Sequence, residues 1–182
     1  MRSLMRRITA GVVGLLAVAT MATLVAAAPA GASTAAPQSH IHTAGLRFPT
    51  VGPGARGERV VTIQYLLQQR GKHLAADGLY GPITTAAVRS FQRSRGLRPD
   101  GIVGPATWNR LILTVRRGST GSAVRAVQHS MRFAYGFRFS RVTGFFGLPT
   151  LRVVLAFQRS SRLAADGIVG VQTWQTIVVF ER

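Results

Sequence analysis

The chain alternates apolar stripes at helical spacing with glycine-rich turns. In the first half the stripes predict three helices, defined by Val60, Ile63 and Leu67, then Ala87, Val88 and Phe91, then Trp108, Leu111 and Ile112. Pro82 and Pro105 fall in the expected opening turns of the second and third helices, where a proline loses no hydrogen bond. Asp100-Gly101 lies between these two helices and is a turn dipeptide. This half therefore predicts a compact three-helix unit.

The second half repeats the first with a change of register. Downstream positions align at an offset of 66, as Trp108 does with Trp174, whereas upstream positions align at 64, as Gln64 does with Gln128. The second copy thus carries two extra residues between these points. A period near 65 is longer than most solenoid repeats, and two copies are too few for a stacked array, so each copy is expected to bury its own core. The prediction is an all-α chain with two tandem three-helix domains, at residues 51–113 and 114–182.

The first 50 residues follow a different pattern. Three arginines precede an uncharged apolar run over residues 8–28, and Ala30 and Ala32 supply the small residues that a signal peptidase requires. This pattern predicts a signal peptide at residues 1–32, with no stable membrane anchor after its removal. The run is also about as long as a membrane span, so an uncleaved anchor is the alternative. Residues 33–50 are rich in Ser, Thr, Ala and Pro and predict a flexible linker.

Four ordered sequence blocks occur in each copy. In the first copy they are GxxGxxVxxΦQ from Gly54 to Gln64 (Φ is apolar), DGLYGPIT at 77–84, AVRSFQ at 87–92 and DGIVGPATW at 100–108. This order resembles the three-helix peptidoglycan-binding domain often appended to bacterial cell-wall hydrolases. The resemblance covers residues 54 to about 178. It implies a non-catalytic targeting module that binds peptidoglycan beside a separate wall hydrolase, in a groove near the loop after the first helix and the start of the third.

The groove implied by this resemblance draws on polar and aromatic positions of both copies. The candidate ligand-binding residues are Asp77, Tyr80, Gln92, Asp100 and Trp108 in the first copy, and Phe146, Gln158, Asp166 and Trp174 in the second. Each type also has a structural interpretation: aspartates as turn residues, tryptophans as core, glutamines as caps or exposed side chains. The second copy has Thr143, Phe146 and Val171 at the positions of Asp77, Tyr80 and Pro105. A polar groove is therefore expected to be better formed in the first copy.

Catalytic chemistry has little support in the sequence. Outside residues 1–32 the chain has five acids, and three of them precede glycine in predicted turns. A glycosidase needs two carboxyl groups roughly 5 to 9.5 Å apart. Asp77 and Asp100 could meet that distance, so a small wall lytic enzyme stays an alternative. Histidine and acid spacing is not typical of a zinc site, and the chain has neither a GxSxG sequence nor a cysteine. We expect no catalytic residue, metal or cofactor.

The chain is strongly basic. Loss of the three arginines within residues 1–32 lowers the formal charge from +18 to +15. Such a charge predicts an anionic environment and does not specify a fold. Outside a bacterial cell that environment is teichoic-type polymer and the peptide carboxylates of the wall, whereas nucleic acid is not expected there. A solvated cationic face is the structural interpretation. We expect a secreted protein associated with the cell wall.

An aromatic and basic cluster distinguishes residues 132–146. It comprises Phe133, Tyr135, Phe137, Phe139, Phe145 and Phe146, interleaved with Arg132, Arg138 and Arg141. Alternation from Phe133 to Phe139 is typical of a strand, and such clusters can bind sugars or nucleic-acid bases by stacking and charge. A cationic polyanion or nucleic-acid binder is therefore a further alternative function. Packing of these rings beneath the longer loop, or between the two domains, is the structural interpretation and is favoured, because Met131 is the last large apolar anchor of its helix.

Overall fold

The computed structural model describes residues 47–138 and 141–181. Within them lie one π-helical segment, Ser130–Ala134, and six α-helices: α1 Glu58–Gln69, α2 Pro82–Ser94, α3 Pro105–Leu111, α4 Ser122–His129, α5 Leu148–Ser160 and α6 Val171–Phe180. The prediction of an all-α chain with three helices in each copy is confirmed. The predicted signal peptide at 1–32 lies outside the described residues, as does most of the predicted linker. None of the described helices combines the length and apolar character that crossing a membrane requires.

Glycine and proline determine where the helices begin. Gly57 and Gly121, the N-caps of α1 and α4, have φ angles of 103° and 104°, a region that side chains other than glycine rarely enter. Pro82 and Pro105 are the first residues of α2 and α3. Val171 replaces proline at the start of α6, yet α6 forms and has 10 residues against 7 in α3. Proline therefore favours this helix start without being required for it.

Isolated antiparallel bridges tie the segment before each first helix to the two turns of the same copy. In the first copy Val51 pairs with Val103, and Arg56 pairs with Leu79. Val115 with Val169 and Thr120 with Phe145 are the equivalents in the second copy. Each copy is thus a three-helix unit whose leading segment runs across the starts of its second and third helices.

The predicted stripes form the core. Trp108 and Trp174 are fully buried, and their indole N–H groups donate to the carbonyl oxygens of Pro49 (2.8 Å) and Leu113 (2.7 Å). Phe48 is 5% exposed and stacks on Trp108 with ring centroids 5.7 Å apart. Residues 48 and 49 therefore pack on the first copy, although they fall in the predicted linker, because the Phe48 ring stacks on Trp108.

The two copies share one core. All described residues fall in a single compact unit, and α1 packs against α4 across the boundary between the copies. Leu66 and Ala126 are fully buried, yet neither belongs to the predicted stripe of its helix. The first helix of each copy is therefore buried on more sides than a single stripe provides. The expectation that each copy buries a separate core is wrong for this reason.

Polar contacts also join the copies. The Arg59 guanidinium donates to the carbonyl oxygens of Val178 (2.6 Å), Val179 (3.1 Å) and Glu181 at the end of α6. Thr62 Oγ1 donates to Glu181 Oε1 at 2.9 Å. Burial raises the pKa of Glu181 to about 7, against the hydrogen bonds and the nearby Arg59 charge that lower it. The Glu181 side chain is therefore a buried acid at the junction of the copies.

The aromatic cluster at 132–146 does not form a strand in the described residues. Phe133 lies in the π-helical segment and is 53% exposed, and Phe145 is 54% exposed. Tyr135 packs edge-on against Phe157, and its hydroxyl donates to the Ile177 carbonyl oxygen at 2.8 Å. Phe137 is partly buried against the core and Phe146 is fully buried, whereas Phe139 lies outside the described residues. Tyr135, Phe137 and Phe146 therefore pack in or against the core, as the structural interpretation expects. The strand predicted from the alternation does not form in the described residues.

Candidate functional site

A buried glutamine organises the turn before α2. Gln64 is 1% exposed, and its Nε2 lies within hydrogen-bond distance of Asp77 Oδ1 (2.8 Å), the Leu79 carbonyl oxygen (3.1 Å) and Thr84 Oγ1 (3.1 Å). Its Oε1 accepts from the backbone N–H of Gly78 at 2.9 Å. Asp77 Oδ1 also accepts from the N–H of Leu79 at 2.9 Å. The amide thus satisfies the polar groups of a turn that would otherwise be buried without partners.

The same arrangement occurs four times in the described chain. The other glutamines, each with its turn residue and threonine, are Gln92 with Asp100 and Thr107, Gln128 with Thr143 and Thr150, and Gln158 with Asp166 and Thr173. The turn glycine of each arrangement has a φ between 72° and 77°, which only glycine adopts at low cost. Each copy is therefore built from two similar turn-and-helix halves. We call these arrangements the glutamine turns.

Six of the nine candidate ligand-binding residues have buried side chains. Trp108, Trp174, Tyr80, Phe146, Gln92 and Gln158 are between 0% and 2% exposed, although Tyr80, Phe146 and Gln158 border grooves or clefts. The tryptophans and Phe146 pack in the core, and the two glutamines hold their turns. Tyr80 donates its hydroxyl to the Gly101 carbonyl oxygen at 2.9 Å, and burial raises its pKa.

The three candidate aspartates, Asp77, Asp100 and Asp166, remain exposed. Each uses Oδ1 to accept from a glutamine Nε2 and from the N–H two residues ahead. These bonds favour the charged carboxylate and hold the pKa of Asp77 and of Asp100 below the usual value. The aspartates act as turn residues with one oxygen directed to the protein. Small clefts of about 180 Å³ and 220 Å³ lie beside Asp77 and Asp166.

Sequence reasoning missed the other members of the glutamine turns. They are Gln64, Gln128, Thr84, Thr107, Thr150 and Thr173. A signal for them is present in the sequence, because the octapeptides DGLYGPIT, DGIVGPAT, TGFFGLPT and DGIVGVQT each end in threonine. Comparing halves within a copy, in addition to comparing the two copies, would have revealed it.

Two grooves larger than these clefts adjoin the turns before α2 and α5. In the first copy a groove of about 790 Å³ is bounded by residues 53–56, residues 79–82 and the exposed side of α2. Its lining includes Arg56, Arg89 and Arg93 beside Pro53, Leu79 and Pro82. In the second copy a groove of about 530 Å³ is lined by Arg117 and Arg141 together with Phe145 and Leu148. We call these the first-copy groove and the second-copy groove.

The acids of the described chain make structural contacts. Glu58 Oε2 lies 2.9 Å from His129 Nδ1, Glu181 is buried, and the aspartates hold turns. Within residues 47–138 and 141–181, His, Cys, Asp and Glu side chains form no group of three or more that could hold a metal ion. Each groove is lined by apolar side chains together with arginines.

Comparison with known proteins agrees with this geometry. Residues 56–111 and 120–177 each match the model of a family described as a putative peptidoglycan binding domain. The chain is 30% identical over 142 residues to a probable N-acetylmuramoyl-L-alanine amidase of Bacillus licheniformis, covering 75% of this chain and 39% of that protein. It is 40% identical over 65 residues to the zinc D-Ala-D-Ala carboxypeptidase of Streptomyces albus G, covering 34% of this chain and 26% of that protein.

A solved structure is also similar to part of the chain. It is the crystal structure of a peptidoglycan-binding protein from Clostridioides difficile in complex with glutamine hydroxamate, with 39% identity and a TM-score of 0.35, covering 35% of this chain and 40% of that chain. The chain spans about two fifths of the length of the Bacillus amidase and about a quarter of the Streptomyces carboxypeptidase. The two family matches together cover more than half of the sequence. The chain therefore belongs to the putative peptidoglycan-binding domain family and carries two copies of the domain in tandem.

Proposed function

We propose that the protein is an exported, non-catalytic binder of peptidoglycan that resides in the bacterial cell wall. The observation that carries this proposal is the tandem family match, which occupies residues 56–111 and 120–177 and so most of the described chain. The formal charge of +15 outside residues 1–32 supports attachment within an anionic wall, with anionic wall polymers as additional partners. A separate wall hydrolase is the protein partner that such a targeting module would serve.

The relatives support the choice of ligand. Their printed names describe an amidase and a carboxypeptidase that act at alanine residues, in one case beside N-acetylmuramic acid. This chain spans the smaller part of each. In the present chain Asp77 and Asp100, the pair considered for hydrolysis, each engage Oδ1 in a turn. This use of both acids supports a binding role over a lytic one.

The proposal can be tested by co-sedimentation of the purified protein lacking residues 1–32 with sacculi stripped of teichoic acid. We expect binding to persist in about 0.3 M salt, where the Debye length falls to about 5–6 Å and close hydrogen bonds are spared. Loss of all binding on stripping or in salt would show that charge alone attaches the protein and would refute the proposal. Release of muropeptides during the incubation would contradict the non-catalytic role.

A further inference from the structure

The first-copy groove has walls that are fixed before any ligand arrives. The backbone N–H of Gly54 donates to the Tyr80 carbonyl oxygen at 3.0 Å, and the N–H of Tyr80 donates to the Ala55 carbonyl oxygen at 2.9 Å. The N–H of Gly57 donates to the Gly78 carbonyl oxygen at 3.0 Å. These bonds join residues 53–57 to residues 78–80 as one wall, and the Tyr80 ring fills the space beneath it. A ligand entering the groove therefore meets a preorganised surface, which lowers the entropic cost of binding.

Three arginines surround this groove without a local acid. Arg89 and Arg93 are four residues apart on α2 and so lie on the same face, where like charges oppose helix stability. Arg56 lines the groove from the other wall. Among the described residues the contact of a carboxylate with a basic side chain joins Glu58 to His129, so the three guanidinium groups have no acidic partner there. The groove therefore presents concentrated positive charge that an anionic ligand would neutralise.

Packing positions the central arginine. A Cβ atom built on Gly101 would lie 3.1 Å from Arg89 Nε and 3.3 Å from its Cγ, so the Arg89 side chain lies directly over this glycine. In the second copy the residues equivalent to Gly101 and Arg89 are Gly167 and Leu155, and a Cβ on Gly167 would lie 2.4 Å from Leu151 and 3.6 Å from Leu155. Thus the same supporting surface carries a guanidinium in one copy and an apolar side chain in the other.

Both grooves carry arginines, Arg117 and Arg141 in the second, but Arg56 and Arg89 are specific to the first copy. At an offset of 64, Arg56 corresponds to Thr120, and at 66, Arg89 corresponds to Leu155, so two of the three arginines are absent from the second copy. Phe145 and Leu148 line the second-copy groove, and both are about half exposed. The duplicated fold therefore does not need arginine at either position. A structural requirement does not explain these two residues.

We infer that the first-copy groove binds a peptide that bears a free carboxylate next to small apolar side chains, namely the stem peptide of peptidoglycan. This inference rests on the proposed function and names the part of the polymer that is recognised. Guanidinium groups bind carboxylates through paired, charge-assisted hydrogen bonds. Pro53, Ala55 and Pro82 supply an apolar lining against which alanyl methyl groups can pack. Neutral sugar rings alone would leave the three arginines without a counter-charge.

The test compares a carboxylate ligand with its neutral counterpart. The probes are a soluble disaccharide-peptide with free carboxylates and the same molecule with its carboxylates amidated, titrated against the purified protein by calorimetry. We expect the free acid to bind at least about tenfold more tightly. The variant with Arg56→Thr and Arg89→Leu, the residues that the second copy has, should lose this preference. The control variant with Arg152→Gln and Arg159→Gln removes the same total charge from two exposed arginines of α5 and should retain the preference for the free acid.

Several outcomes would overturn the inference. They are equal affinity of the parent protein for the two probes, an equal loss in both double variants, and tighter binding of a glycerol-phosphate polymer than of the free-acid probe. Sacculus binding by the parent protein is measured in parallel. If it persists while the carboxylate preference is absent, this inference fails and the proposed function stands. If sacculus binding is itself absent, the proposed function fails. Circular dichroism with thermal unfolding confirms that each variant is folded.

Discussion

The Gln64→Leu variant removes the amide that holds the turn before α2 and keeps a side chain of similar size. Gln64 Oε1 accepts from the buried N–H of Gly78, and Nε2 donates to Asp77, Leu79 and Thr84. A buried polar group left without a partner costs roughly 1–3 kcal/mol. The variant leaves the Gly78 N–H and at least one acceptor unpaired. We therefore expect the free energy of unfolding to fall by about 3 kcal/mol.

Gln128→Leu is the matched variant in the second copy. Its Nε2 lies 3.3 Å from the Thr143 hydroxyl oxygen, whereas Gln64 Nε2 lies 2.8 Å from the Asp77 carboxylate. Hydrogen bonds to a charged group contribute more to stability than longer bonds between neutral groups. The loss in Gln128→Leu should therefore be smaller than in Gln64→Leu. The two glutamines differ in the turn residue that they contact, whereas both also bind a buried glycine N–H and a threonine hydroxyl.

Urea unfolding followed by circular dichroism at pH 7 measures both variants. The slope of free energy against urea should stay unchanged, so that the shift in midpoint reports stability. An equal loss in the two variants would refute the role given to the carboxylate. A loss below about 1 kcal/mol for Gln64→Leu would refute the structural role of the amide itself.

Thr143→Asp should raise Tm by about 2–4 °C, because an aspartate at the equivalent turn positions accepts shorter hydrogen bonds. The control Thr114→Asp introduces the same charge at an exposed threonine and should leave Tm unchanged. Stabilisation by both variants would instead indicate general relief of positive charge. Glu181→Gln should reduce the loss of Tm between pH 5 and pH 8. Folding raises the pKa of Glu181 from 4.5 to about 7, so the stability that protonated Glu181 contributes is full below about pH 4.5 and is lost as pH rises through about 7. Because burial also lowers the pKa of His129, the comparison is with the parent protein, and an equal loss in both would contradict the assignment.

The helices and most of the core were predictable from the sequence because each stripe contributes large apolar side chains at one spacing. Trp108 and Trp174 packed as core residues for that reason. The two extra residues of the second copy were also visible as a change of offset. The offset does not show where between the aligned blocks these residues lie. The separation from glutamine to turn residue is 13 for Gln64 and 15 for Gln128, and the π-helical segment lies within the longer span. A π-helical turn accommodates added residues without changing the contacts at either side.

The candidate site was harder to predict because polarity alone does not reveal burial. Gln92 and Gln158 directly follow core phenylalanines, so the helical pattern placed them away from the core, yet both are buried. Their hydrogen-bond partners lie in turns eight or more residues away along the chain, and these bonds offset the cost of burying the amide. The contact between α1 and α4 was missed for a related reason. The N–H of Ala123 in α4 donates to Gln69 Oε1 of α1, and such small or uncharged residues carry little periodic signal.

The shared core has a consequence for avidity. Leu113 ends the first copy and also accepts the indole N–H of Trp174, so little free chain separates the copies. The two grooves are consequently held at a set separation, unlike modules joined by a flexible linker, whose effective local concentration varies with linker length. A polymer that occupies one groove gains from the other when its own chemical repeat matches that separation. Such a protein would respond to the spacing of its ligand as well as to its composition.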